Sequence, residues 1–127
     1  TNNPKEPQKL IHKTIPGILV RSKSEALIIN ALFEHKIPFR YECLLQIQNV
    51  SIYPDFTIRH PVTGEVYYWE HFGMMDNEDY YNAVLRKLDA FEMNQLLIGR
   101  DVLLLHESSS APLNTRVLDC YIQEYLV

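Results

Sequence analysis

The stretch Tyr67–Gly73, YYWEHFG, decides how the fold of this chain is interpreted. Its first three residues are aromatic, which is typical of a buried strand. Glu70 and His71 follow directly, although a buried carboxylate is costly unless it is paired with a cation or bound to a metal. The stretch therefore predicts a strand that leaves the core at a functional site, with Glu70 facing a positive charge.

The bulk composition is that of an ordinary globular domain. The 127 residues are 46% hydrophobic and 22% charged. No apolar run reaches the roughly 18 residues that cross a bilayer, and the first residues show no basic-then-apolar leader. Cys43 and Cys120 are isolated, which favours buried free thiols in a reducing compartment. We therefore expect a cytoplasmic protein with no membrane partner.

The charge is unevenly distributed along the chain. Residues 1–40 carry seven Lys/Arg and three Asp/Glu, a balance of +4, whereas residues 41–127 carry five and thirteen, a balance of −8. The two balances sum to the formal net charge of −4. This asymmetry suits a protein that holds phosphates at one place and cations at another, although scatter in a small sample explains it equally well.

The spacing of apolar residues predicts three helices in one domain. Residues 1–14 are polar and are interpreted as a lead-in to a single domain over residues 15–127. Ser22 and Glu25 have the spacing of a capping box at the start of the first helix, and Pro38 ends it. The helices are expected from about Ser22 to Ile37, from Asn77 to Met93 and from Asn114 to Leu126.

Strand-like segments lie between these helices. The Pro and Gly of His60–Glu65 predict a hairpin loop between two of them. The last strand is solidly apolar, so we expect it to be central in the sheet. The order αβββαβα predicts an α/β fold with a small mixed sheet flanked by helices. The expected strands are Phe39–Gln46, Ser51–Arg59, Val66–Phe72 and Leu103–His106.

Four ionisable residues occupy positions where packing alone would not place them: Glu25, Asp55, Glu70 and Lys87. If the second and third strands pair as a hairpin, Asp55 and Glu70 become neighbours on one face. Adjacent carboxylates repel each other, so one titrates abnormally unless a cation lies between them. Oxygen-only ligation favours Mg²⁺ or Mn²⁺, and such an ion activates water and stabilises charge on a phosphate.

Three motifs, in this order, resemble the PD-(D/E)XK nuclease superfamily. They are VRSKSE at Val20–Glu25, IYPDFTI at Ile52–Ile58 and YYWEHFGMMD at Tyr67–Asp76. An Asp after Pro, a Glu on the next strand and the αβββαβ order are similar to the restriction-endonuclease-like core of compact bacterial domains. The likeness extends from Val20 to Leu126. It implies a Mg²⁺-dependent (or Mn²⁺-dependent) endonuclease that acts on DNA in a bacterial or phage-like cytoplasm.

The resemblance also implies a role for each motif residue. Asp55 corresponds to the principal metal ligand, Glu70 to a second ligand and Glu25 to a glutamate that many members add from the first helix. The family's lysine would stand two residues after Glu70, where this chain has Phe72. Some branches carry that lysine on the following helix, which implies that Lys87 positions the attacking water or stabilises the developing phosphorane charge.

Further site residues are expected around these four. The N-terminus of the first helix favours anions, so phosphate contacts are expected there. His71 and Tyr80 are expected to support the ligands, since Tyr80 lies seven residues before Lys87 on the same helix face. In an ideal strand His71 points away from Glu70. The expected phosphate contacts are Arg21, Ser22, Lys23 and Ser24.

Two other functions stay open. Phe72 in the place of the lysine favours a catalytically inactive nuclease-fold domain that binds DNA or protein. The overall acidity favours a purely structural or protein-interaction domain. Structural roles also stay open for Glu25 as a capping residue and for Lys87 as a solvated helix residue. Domains of the resembling family occur fused to helicases, so a larger protein is expected as one context, and a homodimer stays open.

Overall fold

The computed structural model describes residues 2–127, which form eight short strands and three α-helices. The strands are β1 (His12–Lys13), β2 (Leu19–Val20), β3 (Phe39–Tyr41), β4 (Leu45–Ile47), β5 (Val50–Ile52), β6 (Phe56–Arg59), β7 (Val66–Phe72) and β8 (Val102–His106). The helices are α1 (Lys23–Glu34), α2 (Glu78–Met93) and α3 (Thr115–Tyr125), and a 3-10 turn covers Pro7–Lys9.

A four-stranded mixed sheet in the order β3-β6-β7-β8 organises the fold. The first three strands pair antiparallel and β8 runs parallel to β7. Two separate hairpins, β1–β2 and β4–β5, accompany it. The α/β fold with a small mixed sheet is therefore confirmed. Within residues 2–127 no helix is both long and apolar enough to cross a membrane.

Two of the expected strands are each divided in the structure. Phe39–Gln46 becomes β3 and β4, because Glu42 adopts a left-handed backbone conformation with φ of 46°. Ser51–Arg59 becomes β5 and β6, because Pro54 has no amide hydrogen with which to continue a ladder. The expectation that Asp55 lies inside a strand is therefore wrong, since it stands one residue before β6.

The apolar strand β8 lies at the edge of the sheet, so its expected central position is wrong. Its side chains nevertheless enter two cores in alternation. Leu103 and Leu105 belong to one buried cluster, whereas Val102 and Leu104 belong to or pack against another. An edge strand covered on both faces needs the same apolar sequence as a central one.

The two cores lie on opposite faces of β7. Trp69 packs in the larger core with Ile28 of α1 and Ile122 of α3. Phe91 of α2 belongs to the smaller core, against which Tyr68 packs. Because neighbouring strand residues point to opposite faces, α1 and α3 cover one side of β7 and α2 covers the other.

Some apolar side chains of α1 and one of the two thiols are exposed. In α1, Leu27 and Phe33 are 44% and 46% exposed, because the helix turns Ile28, Ile29 and Leu32 toward the core instead. Cys120 is also exposed and Cys43 is half-buried, so the expectation of two buried thiols is wrong, although both are free.

The N-terminal residues are attached to the domain rather than merely leading into it. His12 pairs with Val20 and Lys13 with Leu19 in the β1–β2 hairpin. The domain boundary expected after residue 14 therefore falls inside this hairpin.

Candidate active site

Asp55 and Glu70 meet where β6 begins. β6 pairs with β7 so that Phe56 lies opposite Trp69, and one step back along the chain brings Asp55 opposite Glu70. The Asp55 N–H donates to Glu70 Oε2 at 2.6 Å, and the His71 N–H donates to Asp55 Oδ2 at 2.8 Å. The backbone therefore fixes both carboxylates, and the expected pairing of Asp55 with Glu70 is confirmed.

Lys87 supplies the positive charge that Glu70 requires. Its ammonium forms an ion pair with Glu70 Oε1 and lies 3.7 Å from Asp55 Oδ1. Glu70 is completely buried, whereas the Lys87 side chain is 29% exposed. The interpretation of Lys87 as a solvated helix residue is therefore wrong, because α2 presents it to two carboxylates.

The proximity of these groups changes their protonation. Burial raises the pKa of Glu70, and the negative charge of Asp55 raises it further. Burial likewise raises the pKa of Asp55 against the opposing effect of Lys87. Burial acts to lower the pKa of Lys87, but the charges of Asp55 and Glu70 outweigh it and leave that pKa raised. Lys87 is therefore a permanently charged hydrogen-bond donor near neutral pH.

Glu25 brings a third carboxylate toward this pair from the first turn of α1. It is 8% exposed, and its Oε1 accepts hydrogen bonds from the Arg21 N–H at 3.2 Å and the Tyr41 hydroxyl at 3.0 Å. Burial first and then the charge of Asp55 raise its pKa to about 7. Ser22 Oγ accepts from the Glu25 N–H at 3.1 Å, so Ser22 caps the helix as expected. The Glu25 carboxylate bonds to the Arg21 N–H, one residue before the cap, so it does not complete a capping box.

Glu25→Gln is expected to weaken the pH dependence of stability in the metal-free protein. The pKa of Glu25 rises from 4.5 to about 7 on folding. Between these values the folded state holds a proton that the unfolded state releases, so the free energy of unfolding falls as the pH rises from about 4.5 to about 7. Over this whole interval the free energy of unfolding should fall by about 3 kcal/mol.

Urea unfolding in EDTA at about pH 4 and about pH 8 measures this effect, because those values bracket the titration. Glutamine does not titrate, so the variant should lose less stability over this interval than the wild type. Glu34→Gln, an exposed change on the same helix, serves as the control. A loss as large in Glu25→Gln as in the wild type would contradict the prediction.

The residues expected to contact phosphate are largely engaged within the protein. Arg21 Nε donates to Glu42 Oε2 at 2.8 Å, so this guanidinium is already paired. Ser22 caps α1, and the Ser24 hydroxyl donates to Glu107 Oε1. Lys23 is exposed at the helix start.

The two expected supporting residues contact the site differently, His71 through its backbone N–H and Tyr80 through its hydroxyl. The His71 ring faces away from Glu70, as expected, and its Nε2 lies 2.8 Å from Glu107 Oε1. Only its backbone N–H reaches Asp55. The Tyr80 hydroxyl accepts from the Gly73 N–H at 2.9 Å, which ties the start of α2 to the chain following β7.

Tyr41, Glu42 and Glu107 are parts of the site that the sequence analysis missed. Glu107 Oε2 also accepts from the Leu113 N–H at 2.7 Å, so this carboxylate joins three segments of the chain. Glu42 and Glu107 each follow directly after a strand. An acidic residue directly after a strand is therefore the sequence signal that identifies both carboxylates.

An open cleft of about 630 Å³ lies over these groups. Glu25, Asp55 and Lys87 line it together with Phe72 and Tyr80. Phe72 is 5% exposed and lies on the same face of β7 as Glu70. A small molecule or a segment of a polymer therefore reaches the three charged groups from solvent.

Within residues 2–127, no three His, Cys, Asp or Glu side chains converge closely enough to hold a metal ion as they stand. Asp55 and Glu70 form a two-carboxylate pair, and the Lys87 ammonium is in contact with one oxygen of Glu70. A search of family models, of curated proteins and of solved structures found no match to this chain.

Proposed function

We propose that the chain is a divalent-metal-dependent nuclease domain with a restriction-endonuclease-like core that hydrolyses phosphodiester bonds of DNA. The observation that carries the proposal is the contact of one ammonium, that of Lys87, with both Asp55 and Glu70 beneath an open cleft. The succession α1, β3, β6, β7, α2, β8 supports it, because it follows the αβββαβ order of that core.

The donor set fits Mg²⁺ or Mn²⁺. Asp55, Glu70 and Glu25 offer only oxygen atoms, which hard divalent cations prefer. The Lys87 ammonium stands in for such a cation, since a positive charge is already accommodated between Asp55 and Glu70. Asp55 and Glu70 would hold the ion with Glu25 assisting. A bound ion would supply an activated water and neutralise charge on the phosphate.

Lys87 and the His71 backbone N–H would have different roles in the reaction. The raised pKa of Lys87 keeps it charged, so it would donate hydrogen bonds to the attacking water or to phosphate oxygens that gain charge. The His71 N–H would hold the Asp55 carboxylate in position through Oδ2. Such fixed donors and acceptors need no reorganisation during the reaction.

The direct test is cleavage of plasmid DNA by the purified domain in Mg²⁺ or Mn²⁺, with an EDTA sample in parallel. We expect nicked or linear product with metal and none with EDTA. Linear, branched and single-stranded DNA should be assayed as well, together with RNA. If no substrate is cleaved with either metal, the nuclease proposal is overturned.

One observation favours a second function, a catalytically inactive domain that binds nucleic acid. The buried Phe72 fills the place of a strand lysine, and Lys87 already neutralises Glu70 without a metal. DNA binding that needs no metal, together with no cleavage in any of the assays above, would favour this function.

A further inference from the structure

The N-terminal segment, defined here as residues 3–9, forms part of the wall of the cleft. Asn3, Lys5, Glu6 and Lys9 line the same cleft as Asp55. Their polar sequence predicts only a lead-in outside the domain. Their position beside the carboxylates gives them access to whatever enters the cleft.

Arg21 and Glu42 hold this segment in place. Arg21 Nη1 donates to the Glu6 carbonyl at 2.9 Å and Nη2 to the Lys5 carbonyl at 2.5 Å. Glu42 is 4% exposed and accepts from Asn3 Nδ2 at 3.0 Å as well as from Arg21. Charge-assisted bonds to a nearly buried carboxylate are stronger and more specific in direction than exposed ones. Arg21 is therefore a positioning residue for the N-terminal segment.

Charged side chains of both signs border the cleft. Lys5 is exposed on the N-terminal segment, and Arg86 is exposed on α2 one residue before Lys87. Lys9 pairs with Glu6 at 3.2 Å, an exposed contact that contributes little. The carboxylates of Glu25 and Asp55 also line the cleft. Cations at the border attract phosphates, and the Lys87 ammonium already offsets part of the negative charge of Asp55 and Glu70 in the absence of a metal.

We propose that the N-terminal segment is a substrate-binding element, in which Lys5 together with Arg86 contacts the phosphates of one nucleic-acid strand lying over Asp55. The inference rests on the proposed function for the identity of the site. A cleft of about 630 Å³ lies in the size range of small-molecule sites, so it accommodates a few nucleotides of one strand. The recognised chemistry is the phosphodiester backbone, which DNA and RNA share.

The test measures binding without cleavage. Fluorescence anisotropy in EDTA follows labelled single strands of about 12 nucleotides, a length within the range of single-strand binding sites. The strands are DNA and RNA of one sequence, with the DNA duplex as a further sample. Each phosphate contact on a single strand contributes about 0.7 to the slope of log K against log salt. The double variant Lys5→Ala/Arg86→Ala removes two such contacts, so it should lower the slope of log K against log salt by about 1.4.

The matched control removes the same charge from another part of the surface. Lys13→Ala with Arg116→Ala deletes two exposed cations, on β1 and α3, that do not line the cleft. We expect this control to keep the wild-type slope. Arg21→Lys keeps its charge but cannot hold both carbonyls and Glu42, so it should weaken strand binding about as much as Lys5→Ala does. Its thermal unfolding shows whether the domain stays folded.

The outcomes separate this inference from the proposed nuclease activity. A lower slope in the Lys5/Arg86 variant, but not in the control, supports the inference even if the wild type cleaves nothing. Equal slopes in both double variants overturn it even if the wild type cleaves DNA. Tighter binding of the duplex than of the single strand also overturns it, as does a wild type that binds no strand.

Discussion

Asp55→Asn is expected to lower Mg²⁺-dependent cleavage by about 10³-fold or more while leaving the domain folded. The amide lacks the negative charge that a divalent ion requires. Its Oδ1 can still accept the His71 N–H, and the backbone N–H of residue 55 still donates to Glu70. The variant therefore removes the charge at position 55 and keeps the local hydrogen bonds.

Plasmid cleavage over a range of Mg²⁺ concentrations, calorimetric titration with Mn²⁺ and thermal unfolding together test this prediction. Burial raises the pKa of Asp55, so its charged form is unfavourable in the folded protein and a neutral amide should not lower the melting temperature. Asp89→Asn, an exposed change on α2, is the control. Wild-type cleavage by Asp55→Asn would contradict the assigned role of Asp55.

Lys87→Met is expected to reduce cleavage by about 10²-fold to 10³-fold without preventing Mn²⁺ binding. Methionine keeps much of the length and apolar surface of the side chain but removes the charged donor. The carboxylates of Asp55 and Glu70 remain, and no ammonium competes with the ion for them. Cleavage rates at saturating metal, compared with the Mn²⁺ affinity from calorimetry, separate the two effects.

The same variant should also change how metal affects stability. Glu70 is completely buried, and removing one partner of a buried ion pair costs about 3–5 kcal/mol. The loss should be smaller here, because Lys87 is partly exposed and Glu70 can take up a proton. Mg²⁺ should then stabilise Lys87→Met more than the wild type in urea unfolding. Lys13→Met is the control. Cleavage by Lys87→Met at the wild-type rate would contradict the role assigned to Lys87.

The regular elements of this fold could be predicted because they depend on local periodicity. The apolar spacing predicted all three helices, and the aromatic run predicted β7 over its full observed range. The points at which two of the expected strands are divided depended on single residues. Pro54 was a visible reason to end a strand, since proline is excluded from central ladders, whereas the left-handed conformation of Glu42 had no such signal. The edge position of β8 depends on which strands pair, which its own sequence does not specify.

The candidate site was predictable to the extent that motifs and helix spacing specify it. Asp55, Glu70 and Lys87 were named from their order along the chain, and the structure brings them together. Arg21 was expected to bind phosphate, but the nearly buried Glu42 needs a positive partner, and Arg21 is that partner. This contact joins residues 21 apart in sequence, and local periodicity carries no information at that range.

The parallel pairing of β7 and β8 has a consequence for the lysine itself. Parallel neighbours require a crossover, and such crossovers are almost always right-handed, so the topology rather than the site chemistry decides which sheet face α2 covers. That face carries Glu70 and also position 72. A side chain at position 72 of β7 and a side chain at position 87 of α2 therefore approach the carboxylates of Asp55 and Glu70 from the same side of the sheet. We therefore expect that Phe72→Lys combined with Lys87→Met would keep a cation beside the same carboxylates, with no rearrangement of the chain's path.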